Sequence, residues 1–168
     1  MRSFSLRVGI GLAGALLAGL VALPATASAA TMSPMSSTST LPGVGVSRDE
    51  LGQVVSVLPV EHHAGSCAEL PGSSVTLTRP DNNGNATLVW SATVYSAHPQ
   101  PAWHDTWHQS FTFRTARGTF IVSVSGGLDS PDLNNAWEQK TFQRVKANVQ
   151  VAPDFYPLIG SVDWTGEC

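Results

Sequence analysis

The sequence predicts an all-β fold, an antiparallel β-sandwich or open barrel of about six to seven strands with minor helix. Three observations carry that expectation. Apolar and polar residues alternate with a period of two through most of the chain after Ser73. Clusters of Gly, Asn, Asp and Pro break those runs at short intervals, as turns between sequential strands require. Only two stretches, 48–58 and 131–138, show helical spacing, and both are short.

The first 29 residues stand apart from the fold. Arg2 and Arg7 precede an apolar run from Val8 to Leu23, and Ala27-Ser28-Ala29 follows as a small-residue cleavage pattern. A run of about 16 residues is shorter than the roughly 20 of a membrane span, so residues 1–29 are expected to be a secretory signal peptide. Residues 30–46 are rich in Ser, Thr, Pro and Gly and lack an apolar period, which predicts a disordered linker. Residues 47–168 then form a single secreted β-domain of about 120 residues, free of the membrane and expected to be a monomer.

Within that domain, Ser47-Arg48-Asp49-Glu50 fits a capping box, and Leu51, Val54, Val55 and Leu58 recur at helical spacing. Gly52 and the β-branched Val54, Val55 and Val57 suit an edge strand instead, so 48–58 is read as a short helix or a strand. Val75 and Leu77, the turn RPDNNGN, and Leu88, Trp90, Ala92 and Val94 describe a hairpin. A second hairpin has Phe111 and Phe113 on one strand and Phe120, Val122 and Val124 on its return. Ser130 can then cap a short helix near 131–138, with Pro131 in its first turn and Leu133 and Trp137 on one face. Val145, Ala147, Val149 and Val151 alternate with Arg144, Lys146, Asn148 and Gln150, which predicts a strand with its basic residues on the solvated face. A last strand carries Leu158, Gly160, Val162 and Trp164.

The two cysteines, Cys67 and Cys168, are expected to form a disulfide in a secreted chain. The bridge would close a loop of about 100 residues and stabilise the fold by somewhat under 5 kcal/mol in the chain-entropy picture. Its expected task is to hold the C-terminal strand, apart from any binding role.

Nine basic residues face twelve acidic ones, a formal charge of −3. Loss of Arg2 and Arg7 with the signal peptide leaves seven against twelve, or −5, which disfavours nucleic acid as a partner. No GxSxG elbow, HExxH helix, phosphate-cradling loop or dinucleotide fingerprint is present, and no cofactor is expected. Asp105, Asp132 and Asp163 offer carboxylates for sugar hydrolysis, but nothing in the sequence selects a pair.

Residues 98–109, HPQPAWHDTWHQ, concentrate the chemistry. Counting back from Phe111 and Phe113 places Trp107 in the core and His108 outside. Trp103, behind two prolines, has no such phase and is expected to be exposed, a stacking surface for a sugar or an anchor for a protein. The expected function is a non-catalytic extracellular binding domain that presents this loop to a glycan or protein partner, with Trp103, His104, Asp105 and His98 in contact. A small extracellular hydrolase is one alternative. A zinc or copper site from His104, His108, His62 and His63 is another, and it needs a helical turn, because residues four apart on a strand are separated by about 13 Å.

Overall fold

The computed structural model describes residues 36–98 and 105–168, all within the compact unit Pro34–Cys168. The signal-peptide reading of 1–29 lies outside the described residues. Ten strands follow in order: β1 (Thr38–Arg48), β2 (Val54–Val57), β3 (His62–Ala64), β4 (Cys67–Glu69), β5 (Ser74–Leu77), β6 (Asn85–Ser96), β7 (His108–Thr115), β8 (Phe120–Val124), β9 (Lys140–Gln150) and β10 (Ile159–Glu167). They form one antiparallel sheet in the order β3-β4-β6-β5-β2-β1-β10-β7-β8, with β9 on the other side of β6. The all-β class is as expected, the sheet is not closed, and the strands outnumber the six or seven read from the sequence.

The largest addition is β1. It takes in Thr38–Val46, which composition assigned to the linker. Its first half pairs with β10 and its end, Val46–Arg48, with β2, so this strand joins the two halves of the sheet. The register shifts between Leu41 and Val44. Pro42 has no N–H to lose to a bulge, Gly43 adopts the required positive φ of 67°, and its freed N–H donates to Asp163 Oδ1 at 2.8 Å. A Pro-Gly pair that reads as loop is here the bend of a long strand. At 48–58 the strand reading holds over Val54–Val57, and there is no helix. Asp49 closes a turn instead, its Oδ1 accepting from the N–H groups of Leu51 and Gln53.

Period-two phase places most of the core correctly on four strands; the exception is Leu158, which lies in the turn before β10 and is exposed, while Ile159 is buried ahead of a register shift between Ile159 and Ser161. Val75, Leu77, Leu88, Trp90, Ala92, Val94, Trp107, Phe111, Phe113, Val162 and Trp164 are all buried. Trp90, Phe111 and Trp164 run edge to face across the two halves, with centroids 6.4 and 4.8 Å apart. Each buried indole N–H has an acceptor: Glu69 Oε1 for Trp90 at 2.8 Å, Gln109 Oε1 for Trp107 at 2.7 Å, and Ser56 Oγ for Trp164 at 3.4 Å. Those three polar residues are buried because the tryptophans are.

On β9 the phase inverts. Asn148 has φ 58° and the register against β6 shifts between Ala86 and Leu88, so one extra residue separates Val149, which is buried, from Val145, which is 61% exposed. Arg144 and Lys146 therefore turn inward, Arg144 Nε donating to Asp129 O and Lys146 Nζ to the carbonyls of Ser125 and Gly126. They are not a solvated face. Phe120 is likewise outside, 59% exposed, beyond a register shift between Phe113 and Arg114.

The short helix near 131–138 does not form. Its potential donors are drawn into tertiary bonds: Leu133 N–H goes to Asp105 O, Ser130 N–H to Trp107 O and Trp137 N–H to Ser96 O, while Ser130 Oγ accepts from Trp107 N–H. This segment packs Leu128 and Leu133 into the core along the start of β7. Among the described residues the helical element is a 3-10 turn, Tyr156–Leu158.

Two expectations follow. A Cβ at Gly166 would lie 2.1 Å from Trp107 Cζ2, so Gly166→Ala should cost about 1–3 kcal/mol in denaturant unfolding. Trp107→Ala should cost about 3–5 kcal/mol, and adding Gly166→Ala to it should cost almost nothing more; an additive double mutant would refute the contact.

Burial raises the Glu69 carboxyl from its ordinary 4.5 to about 8, against the opposing hydrogen bond from Trp90. Its stabilising effect is complete below pH 4.5 and is lost as pH rises toward 8. Burial lowers His62 from its ordinary 6.5, so its effect has the opposite sign and is lost as pH falls below 6.5. Between about 6.5 and 8 Glu69 acts without opposition from His62, and its contribution should fall there by on the order of 1 kcal/mol per pH unit. Glu69→Gln keeps an acceptor for Trp90 and should flatten that fall in unfolding midpoints taken across the range.

Candidate functional site

The stretch HPQPAWHDTWHQ is described at His98 and from Asp105 onward; Trp103 and His104 lie outside the described residues. His98 is exposed just beyond the end of β6. Asp105 is half-buried and tightly held. Its Oδ2 accepts from Ser96 Oγ at 2.6 Å and Ser66 Oγ at 3.0 Å, and lies 4.0 Å from Cys67 Sγ. The two ends of the loop are thus fastened to each other, because Ser96 closes β6 and Asp105 begins the approach to β7.

Cys67 and Cys168 form the expected disulfide, with Cα atoms 6.0 Å apart across 101 residues of sequence. Its position corrects one expectation. The bridge sits against Asp105 and Ser66 and is part of the loop's foundation as well as the clasp of β10.

The described histidines do not gather. His62 and His63 are successive residues of β3, and their side chains point to opposite faces. His62 is buried, 5.4 Å edge-on to Trp107, with neither ring nitrogen hydrogen-bonded. The Ser39 backbone lies close enough to oppose the fall in its pKa, but not in hydrogen-bonding geometry. His63 is exposed, 3.6 Å from Glu61. His108 is exposed as its phase predicted, and its Nδ1 lies 2.7 Å from Asp129 Oδ1. Of the carboxylates, Asp163 is taken up by Arg114 at 2.6 Å and Gly43, and Asp105 by its serines.

The exposed aromatic surface is formed by residues expected elsewhere in the fold. Trp137, expected to pack beside Leu133 on a helix, is 63% exposed with φ 64°. A positive φ on a bulky residue is costly and persists only where neighbours enforce it. Here its N–H donates to Ser96 O at 2.8 Å, Ala136 bridges Ser96, and its ring stacks on Tyr95 with centroids 5.3 Å apart and planes 28° from parallel. Tyr95 belongs to the outward phase of β6, and its hydroxyl donates to Glu61 Oε1 at 2.6 Å. Glu138 follows Trp137 and is held ionised, below its ordinary range, by hydrogen bonds from Lys140 and Asn135.

Trp137 and Asp105 share one neighbour, Ser96, whose carbonyl holds the first and whose hydroxyl holds the second. An open indole face, a tyrosine behind it and carboxylates around it can take a flat apolar surface that also carries hydroxyl groups. The sequence did contain a signal for this. LNNAW offers two asparagines where a helix interior would be needed, and Asn favours turns over helix. No protein family, curated protein or solved structure matches this chain.

Because the bridge and the loop base are in contact, Asp105→Ala should remove the acceptor of two partly buried hydroxyls and destabilise the fold by about 1–3 kcal/mol. It should also loosen the neighbouring disulfide. Thiol-exchange rates under a dithiol reductant would show this as faster opening of Cys67–Cys168 in the variant, and unchanged rates would refute the coupling.

Proposed function

We propose that this chain is a secreted, non-catalytic binding domain for neutral glycans, with Trp137 at the centre of its contact surface. The observation that carries the reading is Trp137 itself, held in a costly backbone conformation, backed by Tyr95 and open on its other side. A pyranose ring presents C–H groups to such a face, and the nearby Glu61, Glu138 and Asn135 offer acceptors and a donor for its hydroxyls. Neutral ligands fit best, because the expected mature charge of −5 opposes acidic polysaccharides. Asp105 adjoins the same surface in this reading, since Ser96 joins it to Trp137.

Secretion rests on the leader pattern of residues 1–29 together with the disulfide. Among the described residues no helix is long and apolar enough to cross a membrane.

The test is a panel of neutral and acidic polysaccharides read by tryptophan fluorescence and sedimentation with insoluble glycans. Trp137→Ala should abolish binding while changing stability by no more than about 1 kcal/mol, because the side chain is exposed and alanine keeps the same positive φ with its cost unchanged. Glycan binding that survives Trp137→Ala would move the site elsewhere. No glycan binding, with a protein partner captured through Trp137, would overturn the glycan reading and keep the surface.

A further inference from the structure

The corner beneath the loop has a second chemistry. Cys67 Sγ, Cys168 Sγ and a carboxylate oxygen of Asp105 all lie within 4.8 Å of one another. Ser66 Oγ stands beside them, 3.0 Å from Asp105 Oδ2 and 3.9 Å from Cys168 Sγ. Among the described residues this is where three metal-ligating side chains converge, and no histidine takes part. While the sulfurs are bonded to each other they cannot act as thiolates.

We propose that this corner is a redox-gated zinc site, closed by the Cys67–Cys168 disulfide and opened when that bond is reduced. A dithiol reductant supplies the two electrons. One of its thiolates attacks a bridge sulfur, the mixed disulfide is resolved by its second thiol, and the reductant leaves as a cyclic disulfide with Cys67 and Cys168 as thiols. Zinc then displaces the two thiol protons to solvent and is held by two thiolates and the Asp105 carboxylate, with a water or Ser66 in the fourth position.

Three features suit the corner to this exchange. A tetrahedral ion with Zn–S bonds of about 2.3 Å sets its ligand sulfurs roughly 3.8 Å apart, so the sulfurs separate by less than 2 Å beyond a disulfide's length, within reach of side-chain rotation. Both strands are fixed independently of the sulfur bond. Cys67 is paired with Ala64 and Ser96 on its two sides, and Cys168 exchanges both backbone hydrogen bonds with Ser37. Asp105 is already oriented by two hydroxyl donors, the arrangement that positions a carboxylate ligand. The ion would take over the clasp of β10 when the bridge is open.

The experiment uses the full chain reduced with a phosphine, which does not compete as a thiol ligand, and titrated with cadmium and zinc under anaerobic conditions. One equivalent of cadmium should give a sulfur-to-metal charge-transfer band, and zinc should raise the thermal midpoint of the reduced protein. The oxidised protein should do neither. Asp105→Asn keeps the size of the side chain and should weaken binding at least tenfold. X-ray absorption of the zinc form provides a second readout should that variant fold poorly, with two sulfurs and the remainder oxygen as the expected shell. Absence of the band after reduction would overturn the proposal. So would equal affinity in a folded Asp105→Asn protein, or a shell of four sulfurs, which would mean that two chains share the ion.

Discussion

Three tryptophans sealed in a β core set the terms for the rest of this structure. An indole cannot be buried without an acceptor for its N–H, and a β-sheet core offers few, because the backbone groups are committed to the ladders. The chain answers with three buried polar side chains, Glu69, Gln109 and Ser56, one for each ring. Glu69 is the most demanding of them. Burial keeps its carboxyl protonated well above its ordinary range, and its second oxygen has no hydrogen-bond partner in the fold. The cross-strand neighbour of Glu69 is His62, also buried and also unbonded at both ring nitrogens. One polar seam thus runs through the β3–β4 edge, and its two titrating members pull stability in opposite directions with pH.

That seam and the exposed surface are connected through Trp107. Its ring fills the space over Gly166 and meets the edge of His62, while its backbone is fastened on both sides to Ser130. Fixing Trp107 fixes the 128–133 segment, and that segment leads directly to Trp137. Ser96 completes the arrangement from the other side, holding Trp137 by its carbonyl and Asp105 by its hydroxyl. The disulfide lies against the same carboxylate. A buried aromatic, a loop base, a covalent clasp and an exposed aromatic therefore share one corner, so a change in any of them is felt by the others.

The open edges of the sheet are managed by charge and by irregular chain. Arg144 and Lys146 point inward from β9 and bond the carbonyls of residues 125–129, which covers the flank of an edge strand without a further strand. The bulge at Asn148 is what permits it, by turning two basic residues inward and then restoring the apolar phase at Val149. Pro42-Gly43 does similar work in β1, bending the strand that both halves of the sheet share.

Alternation along β5, β6, β7 and β10 was enough to determine the fold class and most of the core, including three of the five tryptophans, because side-chain phase on a strand depends only on counting residues. Two cysteines behind a leader-like N-terminal pattern also pointed to the disulfide. Counting fails where a residue is inserted, so the inward turn of Arg144 and Lys146 could not be read, nor could β1 be recognised through Pro42-Gly43. Spacing alone also could not show that the donors of 130–137 would be claimed by Trp107, Asp105 and Ser96 in place of helical carbonyls. That competition is between partners far apart in sequence. It decided that Trp137 faces solvent and that the 130–137 segment is tied to Asp105 and Ser96, and only the folded chain brings those partners within reach of one another.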